Sequence, residues 1–156
     1  MSKWTFGIYF LIKQLDSNKW IHIDANNEIK VPEKDKKRLV QQYGYYFDYS
    51  TYDAKNKASD FSDFIQKLKN ILILKYQQLK LIDDKYKFNQ CIVNNYFLNE
   101  GISPHIDVLI FGEVIGCFTL GSGATMLFKK ENKTEELYTE NCSLSITFRL
   151  LLSDFL

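Results

Sequence analysis

The sequence predicts one domain built mainly of β-strands, with a single long helix packed outside a double-sheet core. The chain has 156 residues, of which 46% are hydrophobic and 25% charged. This is the composition of one globular domain that buries roughly two thirds of its unfolded surface. Two patterns set the fold class: apolar residues recur at helical spacing over residues 59–82, and short β-branched and aromatic runs follow over residues 88–152.

The first 58 residues lead into that helix. A Lys-rich stretch at residues 30–38 is typical of a solvated loop, and the aromatic run at residues 43–49 is typical of a strand. Ser59 or Asp60 is then in position to cap the helix. The apolar residues that recur at i, i+3 and i+4 are Phe61, Phe64, Ile65, Leu68, Ile71 and Leu72.

The remainder of the chain alternates between strand-forming runs and turn residues. Turn signals at 99–101, 112, 121–123 and 131–133 separate the runs. The predicted strands are 88–97, 105–111, 114–120, 125–128 and 143–152.

Scarce residues exclude several chemistries. The chain has two His and three Cys, so neither a three-His zinc site nor a CxxC metal or redox site is available. Three separated cysteines do not make a full disulfide framework, which favours a reducing compartment, cytoplasmic or nuclear. Apolar runs such as residues 71–74 are far too short to cross a membrane, and no signal peptide is expected.

One pair of residues has the spacing of a metal site. On the predicted strand 105–111, His105 and Asp107 project from the same face, about 6.5–7 Å apart at the backbone. One imidazole and one carboxylate, joined by a second His, form the facial arrangement that binds Fe(II) and leaves positions open. A His at a strand end beside a surface Asp is the other interpretation.

The surrounding sequence resembles the AlkB family of Fe(II)- and 2-oxoglutarate-dependent dioxygenases. The motifs that carry the resemblance are Asn94 with Tyr96, the string EGISPHID, Phe111-Gly112, the string TLGS, and Met126 with Phe128. Upstream, RLVQQYGY resembles the family's substrate-side strand, and SLSITFR at 143–149 resembles its closing strand. The resemblance implies a double-stranded β-helix, or jelly roll, in one domain spanning residues 1–156. Its parts are a substrate-side extension over 1–58, a helix over 59–82 and a jelly-roll core over 88–152.

The resemblance also implies roles for individual residues. Fe(II) and 2-oxoglutarate are the expected cofactors, with His105 and Asp107 as iron ligands. The expected 2-oxoglutarate contacts are Asn94, Tyr96 and Arg149, the last of which matches the Arg that binds the distal carboxylate. On the substrate side, Arg38, Tyr43 and Tyr45 are expected to face RNA or DNA that carries modified or alkylated bases. Some eukaryotic members of the family act on tRNA.

The sequence departs from the family at the third iron ligand. Family members carry that His between the strand of Met126 and Phe128 and the closing strand, but residues 129–142 contain none. The jelly roll is therefore expected to be incomplete near the C-terminus. His22 is the other imidazole and is expected far from the site. Two functions stay open: an oxygenase for oxidative demethylation or hydroxylation, or a non-catalytic module that binds 2-oxoglutarate or nucleic acid.

Overall fold

A computed structural model of the chain describes residues 21–23, 38–97, 100–102, 105–139 and 144–150. Over these residues it contains seven strands and one helix, so the prediction of a mostly β fold with a single long helix is confirmed. The strands are β1 (Ile21–Ile23), β2 (Arg38–Tyr43), β3 (Gln90–Asn95), β4 (Gly116–Leu120), β5 (Ala124–Lys130), β6 (Lys133–Thr139) and β7 (Leu144–Arg149). The helix, α1, is Asp63–Gln78.

Five of the strands form one sheet in the order β1-β2-β3-β7-β4. Strands β1 and β2 pair antiparallel, with His22 opposite Leu39. The closing strand β7 therefore lies between β3 and β4, so residues far apart in the sequence become neighbours in the sheet. This order places the predicted cofactor strand and the predicted closing strand side by side.

The N-cap of helix α1 lies two residues after Asp60, the nearer of the two predicted caps. Ser62 is the N-cap, and its side chain accepts a hydrogen bond from the backbone N–H of Ile65. Asp63 in the first turn and Lys75 in the last turn complement the helix dipole. Ile65 and Leu72, two turns apart, are the buried residues of the helix and belong to the predicted apolar face, whereas Ile71, predicted on the same face, is 56% exposed.

The strand predicted at residues 43–49 is wrong, because β2 ends where that run begins. Gly44 adopts φ +78°, a left-handed conformation that breaks the extended backbone. Beyond it the chain makes only isolated bridges, between Tyr45 and Lys57 and between Asp48 and Asp53. The solvated loop predicted at 30–38 also fails at its last residue, since Arg38 opens β2 and is 2% exposed; residues 30–37 lie outside the described residues.

Strands β5 and β6 form an antiparallel hairpin, of which the sequence predicts the first strand and the turn. The register pairs Met126 with Leu137 and Lys130 with Lys133, leaving Glu131 and Asn132 as the turn. Glu131 has φ +53°, in the left-handed region that tight hairpin turns use. The turn was predicted but β6 was not, because its charged Glu135 and Glu136 obscure the strand pattern.

The chain divides into two compact units. One comprises Met1–Val40, Asn94–His105 and Phe118–Ser145, and includes the β5–β6 hairpin; the other comprises Gln41–Val93, Ile106–Cys117 and Ile146–Leu156. In the second unit, α1 packs on the sheet through Leu72 at Gly116, and an aromatic cluster surrounds Phe88. The members of that cluster are Tyr76, Tyr86 and Phe148. No helical stretch in the described part of the chain has the length and apolar character to span a membrane.

Candidate functional site

Two of the predicted site residues meet directly in the second unit. Nε of Arg149, the last residue of β7, donates to Oδ2 of Asp107 at 3.1 Å, and Nη2 donates to Oδ1 at 3.4 Å. The guanidinium therefore holds both carboxylate oxygens in a fork arrangement. The side chains are 14% and 26% exposed, so the pair is only partly screened by water. The structure thus brings together an expected iron ligand and an expected 2-oxoglutarate contact.

An aromatic shelf supports the guanidinium. The Arg149 Cζ atom lies 5.0 Å from the centre of the Phe111 ring, within cation–π range. The ring of Phe47 lies 5.6 Å from that of Phe111, and both rings are buried. The Gln42 carboxamide fixes Phe47 by donating to its carbonyl at 3.0 Å and accepting from its N–H at 2.6 Å. Sequence reasoning assigned Gln42 and Phe47 no role at the site, because Gln42 was noted only as part of the RLVQQYGY motif and Phe47 only as part of the aromatic run at 43–49.

Asp107 lies on an irregular segment, so the strand predicted at 105–111 is wrong. The backbone N–H of Phe111 donates to the carbonyl of Val108 at 3.1 Å, and this turn ends any extended run. The next residue is anchored, since the Gly112 N–H donates to the Leu150 carbonyl at 2.8 Å. Ile106 and Leu109 are 94% and 87% exposed. Asp107 is therefore held by Arg149, while the apolar residues around it contribute little packing.

The positive charge of Arg149 also affects the buried thiol of Cys91 in the sheet. Burial raises the pKa of the Cys91 thiol well above its usual value, and the positive charge of Arg149 opposes part of that rise. Thr147, two residues before Arg149 and on the same face of β7, is buried, and its hydroxyl lies 3.7 Å from the Cys117 sulfur. This face of β7 is therefore polar and carries one fixed cation.

The other predicted cofactor residues belong to the first unit. Asn94 lies on β3 and is half-buried, and its carboxamide oxygen is buried without a hydrogen-bond partner among the described residues. Tyr96 follows the strand and is half-buried, and His105 is exposed. Because rotating the carboxamide exchanges its oxygen and nitrogen, Asn94 has an unused donor or acceptor at this position. The roles of Asn94, Tyr96 and His105 stay predictions.

The described residues do not fit a complete iron site. Nowhere among them do three His, Cys, Asp or Glu side chains converge. The interval in which the family carries its third ligand is filled by β6, which has no His. His22 is on β1, but its side chain lies outside the described residues, so its expected distance from the site stays a prediction. The Arg149 fork already binds the Asp107 carboxylate, so its chemistry suits a carboxylate, and its role as a 2-oxoglutarate contact stays a prediction.

The predicted substrate-side residues divide by burial. Arg38 and Tyr43 are almost fully buried, and the Tyr43 hydroxyl donates to Gln41 at 2.6 Å. Their burial conflicts with the exposed phosphate and stacking contacts expected of them. Tyr45 is half-exposed and borders a cleft.

That cleft has a volume of about 500 Å³ and a cationic lining. Three lysines border it, Lys57, Lys69 and Lys87, against the single carboxylate of Asp60. The Lys57 ammonium lies 3.7 Å from the centre of the Tyr45 ring, and the Lys69 ammonium lies 4.3 Å from that of Phe61. Burial lowers the pKa of Lys69, as expected of a cation in a partly desolvated position. Sequence reasoning missed these lysines, because they are scattered over thirty residues of a Lys-rich chain.

Comparisons with known proteins agree with the motifs. A sequence model described as the 2OG-Fe(II) oxygenase superfamily matches residues 9–155. The chain is 30% identical over 128 residues to uncharacterized protein L905 of Acanthamoeba polyphaga mimivirus, covering 81% of this chain and 52% of that protein. It thus spans about half the length of this relative. The solved structure of OsALKBH1 aligns with a TM-score of 0.48 and 14% identity over 72% of this chain and 61% of that one.

Proposed function

Because the chain belongs to the 2OG-Fe(II) oxygenase superfamily, we propose that it binds 2-oxoglutarate at Arg149 as an AlkB-like domain directed at modified or alkylated nucleic acid. One observation carries the first half of this proposal. The Arg149 guanidinium is largely buried beside Phe111 and holds a carboxylate with two donors. A partly desolvated fork of this kind selects a planar anion, and the distal carboxylate of 2-oxoglutarate is such an anion.

Asn94 and Tyr96 keep their proposed roles as 2-oxoglutarate contacts. Supporting this role, the buried carboxamide oxygen of Asn94 lacks a protein partner among the described residues, and such a group is costly unless a ligand satisfies it. His105 and Asp107 keep their proposed role as iron ligands, but two ligands hold a divalent ion less tightly than three.

The cationic cleft supports the nucleic-acid half of the proposal. Lys57, Lys69 and Lys87 supply charge for backbone phosphates, and Tyr45 and Phe61 supply rings on which bases stack. The described carboxylates make no ion pair with these three lysines, so their charge is available to an anion. A site built this way binds RNA or DNA with little sequence preference and weakens with salt.

An AlkB-like dioxygenase is the first candidate mode of action, and a non-catalytic binding module is the alternative. The incomplete metal set in the described residues favours the module, as does the neutralisation of Asp107 by Arg149. The match over residues 9–155 favours the dioxygenase, which would carry out oxidative demethylation or hydroxylation.

The test is to measure binding and turnover with the same protein. We expect calorimetry to detect 2-oxoglutarate binding to the full chain, and Arg149→Gln to abolish it. Lys85→Gln, the same loss of charge at an exposed position, should leave binding unchanged. Anaerobic Fe(II) with 2-oxoglutarate, followed by air and an alkylated oligonucleotide, separates the two modes. A visible charge-transfer band and succinate would establish the dioxygenase, and binding without either would establish the module. Equal affinity of Arg149→Gln and wild type would refute the proposed site.

Nucleic-acid binding is tested separately with the cleft. We expect a fluorescent single-stranded RNA or DNA to bind less tightly to Lys57→Gln/Lys69→Gln than to wild type, by about tenfold at low salt. Lys129→Gln/Lys130→Gln on the exposed hairpin is the charge-matched control. An equal loss in both variants would show that net charge, rather than the cleft, determines binding.

A further inference from the structure

We propose that the β5–β6 hairpin joins a second copy of this chain through the outer edge of β5, forming one four-stranded antiparallel sheet. The inference concerns the first unit alone and goes beyond the ligand sites proposed above. Among the described residues, β5 and β6 pair only with each other. Two strands by themselves are barely stable in water, whereas three or more strands with a shared apolar face are stable. The hairpin is therefore stabilised by any further strand that pairs with it.

The hairpin carries apolar side chains on a fully solvated arm. Every residue from 125 to 138 is exposed. Leu127, Phe128 and Leu137 are each 51–52% exposed, and Met126 is 39% exposed. The register places Met126 beside Leu137, and Phe128 follows on the same face of the hairpin. Adjacent exposed apolar side chains of this kind mark an interaction surface.

The two edges of the hairpin differ in charge. The two-residue turn closes at the hydrogen-bonded pair of Lys130 and Lys133, so the backbone groups of every second residue before it point away from β6. On β5 these outward groups belong to Thr125, Leu127 and Lys129. Charged residues in the middle of an edge strand oppose pairing, and β6 has Glu135 and Glu136 there, whereas the middle of β5 is apolar. The edge open to another strand is therefore that of β5.

The sequence of β5 is complementary to itself. When two copies of a strand overlap in full and run antiparallel, the middle residue meets its own copy. The middle of β5 is Leu127, so Leu127 meets Leu127, Met126 meets Phe128, and Lys129 meets Thr125. No like charges are opposed, and the outward N–H and carbonyl of Leu127 pair with those of the copy. The same overlap through β6 would place Glu136 opposite Glu136.

This pairing has a two-fold axis at Leu127. A contact in which the same edge serves both copies is closed, because it uses up the β5 edge of each. The β6 edges stay at the outside of the four-stranded sheet, where their glutamates oppose further addition. The expected assembly is therefore a dimer that depends on concentration, and not a fibre.

Hydrogen exchange of the full wild-type chain, measured by NMR at low and high protein concentration, tests the pairing without any variant. We expect the Leu127 amide to exchange fast in dilute protein and slowly in concentrated protein, in step with a doubling of mass in sedimentation. The Glu136 amide, on the other edge, should exchange fast throughout. Slow exchange of Leu127 at every concentration would show that the chain covers its own edge and would overturn the proposal. Fast exchange at every concentration would leave the edge to a different partner and would also overturn it.

Two pairs of variants test the register in sedimentation. Thr125→Glu places a carboxylate opposite Lys129 at both ends of the contact and should tighten the dimer about fivefold, whereas Thr134→Glu, the same change on β6, should not. Leu127→Lys places two ammonium groups on the two-fold axis and should abolish the dimer. Leu74→Lys, the same change at a 60% exposed position of α1, should leave it intact. If Leu127→Lys disrupts the hairpin itself, the Thr125→Glu comparison still decides. Equal dimer affinities of Thr125→Glu and Thr134→Glu would overturn the register.

Discussion

Gly116, the first residue of β4, is a position at which helix α1 packs directly on the sheet. A Cβ atom at this position would overlap Cδ2 of Leu72 and lie 2.9 Å from its Cγ and 3.2 Å from its Cδ1. Carbon atoms in a packed core are about 3.5–4.0 Å apart. Leu72 is 5% exposed and enclosed, so it has little room to withdraw. Gly116→Ala therefore forces either Leu72 or the helix to move.

The cost follows from overpacking. One added methyl group in a filled core costs about 2 kcal/mol, which for a chain of this size is about 6 °C in Tm. Leu72→Ala alone removes buried atoms and costs about 3 kcal/mol. In the double variant the new methyl group occupies part of the space left by Leu72. The two changes together should therefore cost about 1–2 kcal/mol less than the sum of the single changes.

Urea denaturation of the four proteins in the cycle measures these free energies of unfolding. Gly101→Ala is the control, because a Cβ atom there meets nothing within 4 Å. A Gly116→Ala protein as stable as wild type would show that the helix does not pack on the sheet through Leu72. Strict additivity of the two single changes would contradict the direct contact.

Three further predictions concern the backbone, the aromatic shelf and a buried thiol. Gly44→Ala should lower the free energy of unfolding by more than about 1 kcal/mol, because Gly44 has a left-handed backbone and its Cβ atom would overlap the Asn89 carbonyl. Gln42→Leu should cost about 2–3 kcal/mol in urea denaturation, because it leaves the buried N–H and carbonyl of Phe47 without partners. Cys91 should resist iodoacetamide at pH 8 in the folded protein and react in urea, as followed by mass spectrometry, because burial raises the pKa of its thiol. The raised pKa keeps the Cys91 thiol protonated in the folded protein. The free energy of unfolding should therefore be unaffected by this group below the unfolded-state pKa of about 8.5 and should fall as the pH rises from there toward the folded-state pKa.

Each of these predictions has a matched comparison. Gly101→Ala is again the control, here for Gly44→Ala. An unchanged Tm for Gly44→Ala would contradict the assigned backbone strain. Gln66→Leu is the control for Gln42→Leu, because the Gln66 side chain is half-buried and donates a hydrogen bond only to the Asn70 side chain. It should lower the free energy of unfolding by less than Gln42→Leu does. The exposed Cys117 serves for Cys91 and should react in the folded state. Equal labelling of the two thiols in the folded protein would place Cys91 outside the core.

Local patterns in the sequence predicted those features that depend on neighbouring residues. The spacing of Ile65 and Leu72 gave the buried face of α1, and the turn residues at 131–133 marked the hairpin. The closing-strand motif singled out Arg149, whose role as a 2-oxoglutarate contact stays a prediction. These features were predictable because helical phase and turn chemistry are properties of a few consecutive residues.

Competition between segments explains the local predictions that failed. The run at 43–49 has the composition of a strand, but the sheet pairs residues 38–43 instead, and the left-handed Gly44 ends the strand. Residues 105–111 have the same composition, yet a turn closes between Val108 and Phe111. Strand propensity says only that a residue suits a pleated, half-buried surface. Which of two such segments joins the sheet depends on the neighbouring strands with which it can pair.

By itself, the sequence determined the fold class and the amphipathic helix α1, and it marked Asp107 and Arg149 as candidate site residues. Only the tertiary structure decided that Asp107 and Arg149, 42 residues apart, bind each other, and that three scattered lysines border one cleft. Contacts of this kind depend on strand order and on the path of irregular segments, which are fixed by the packing of the chain as a whole and leave no periodic pattern in the sequence.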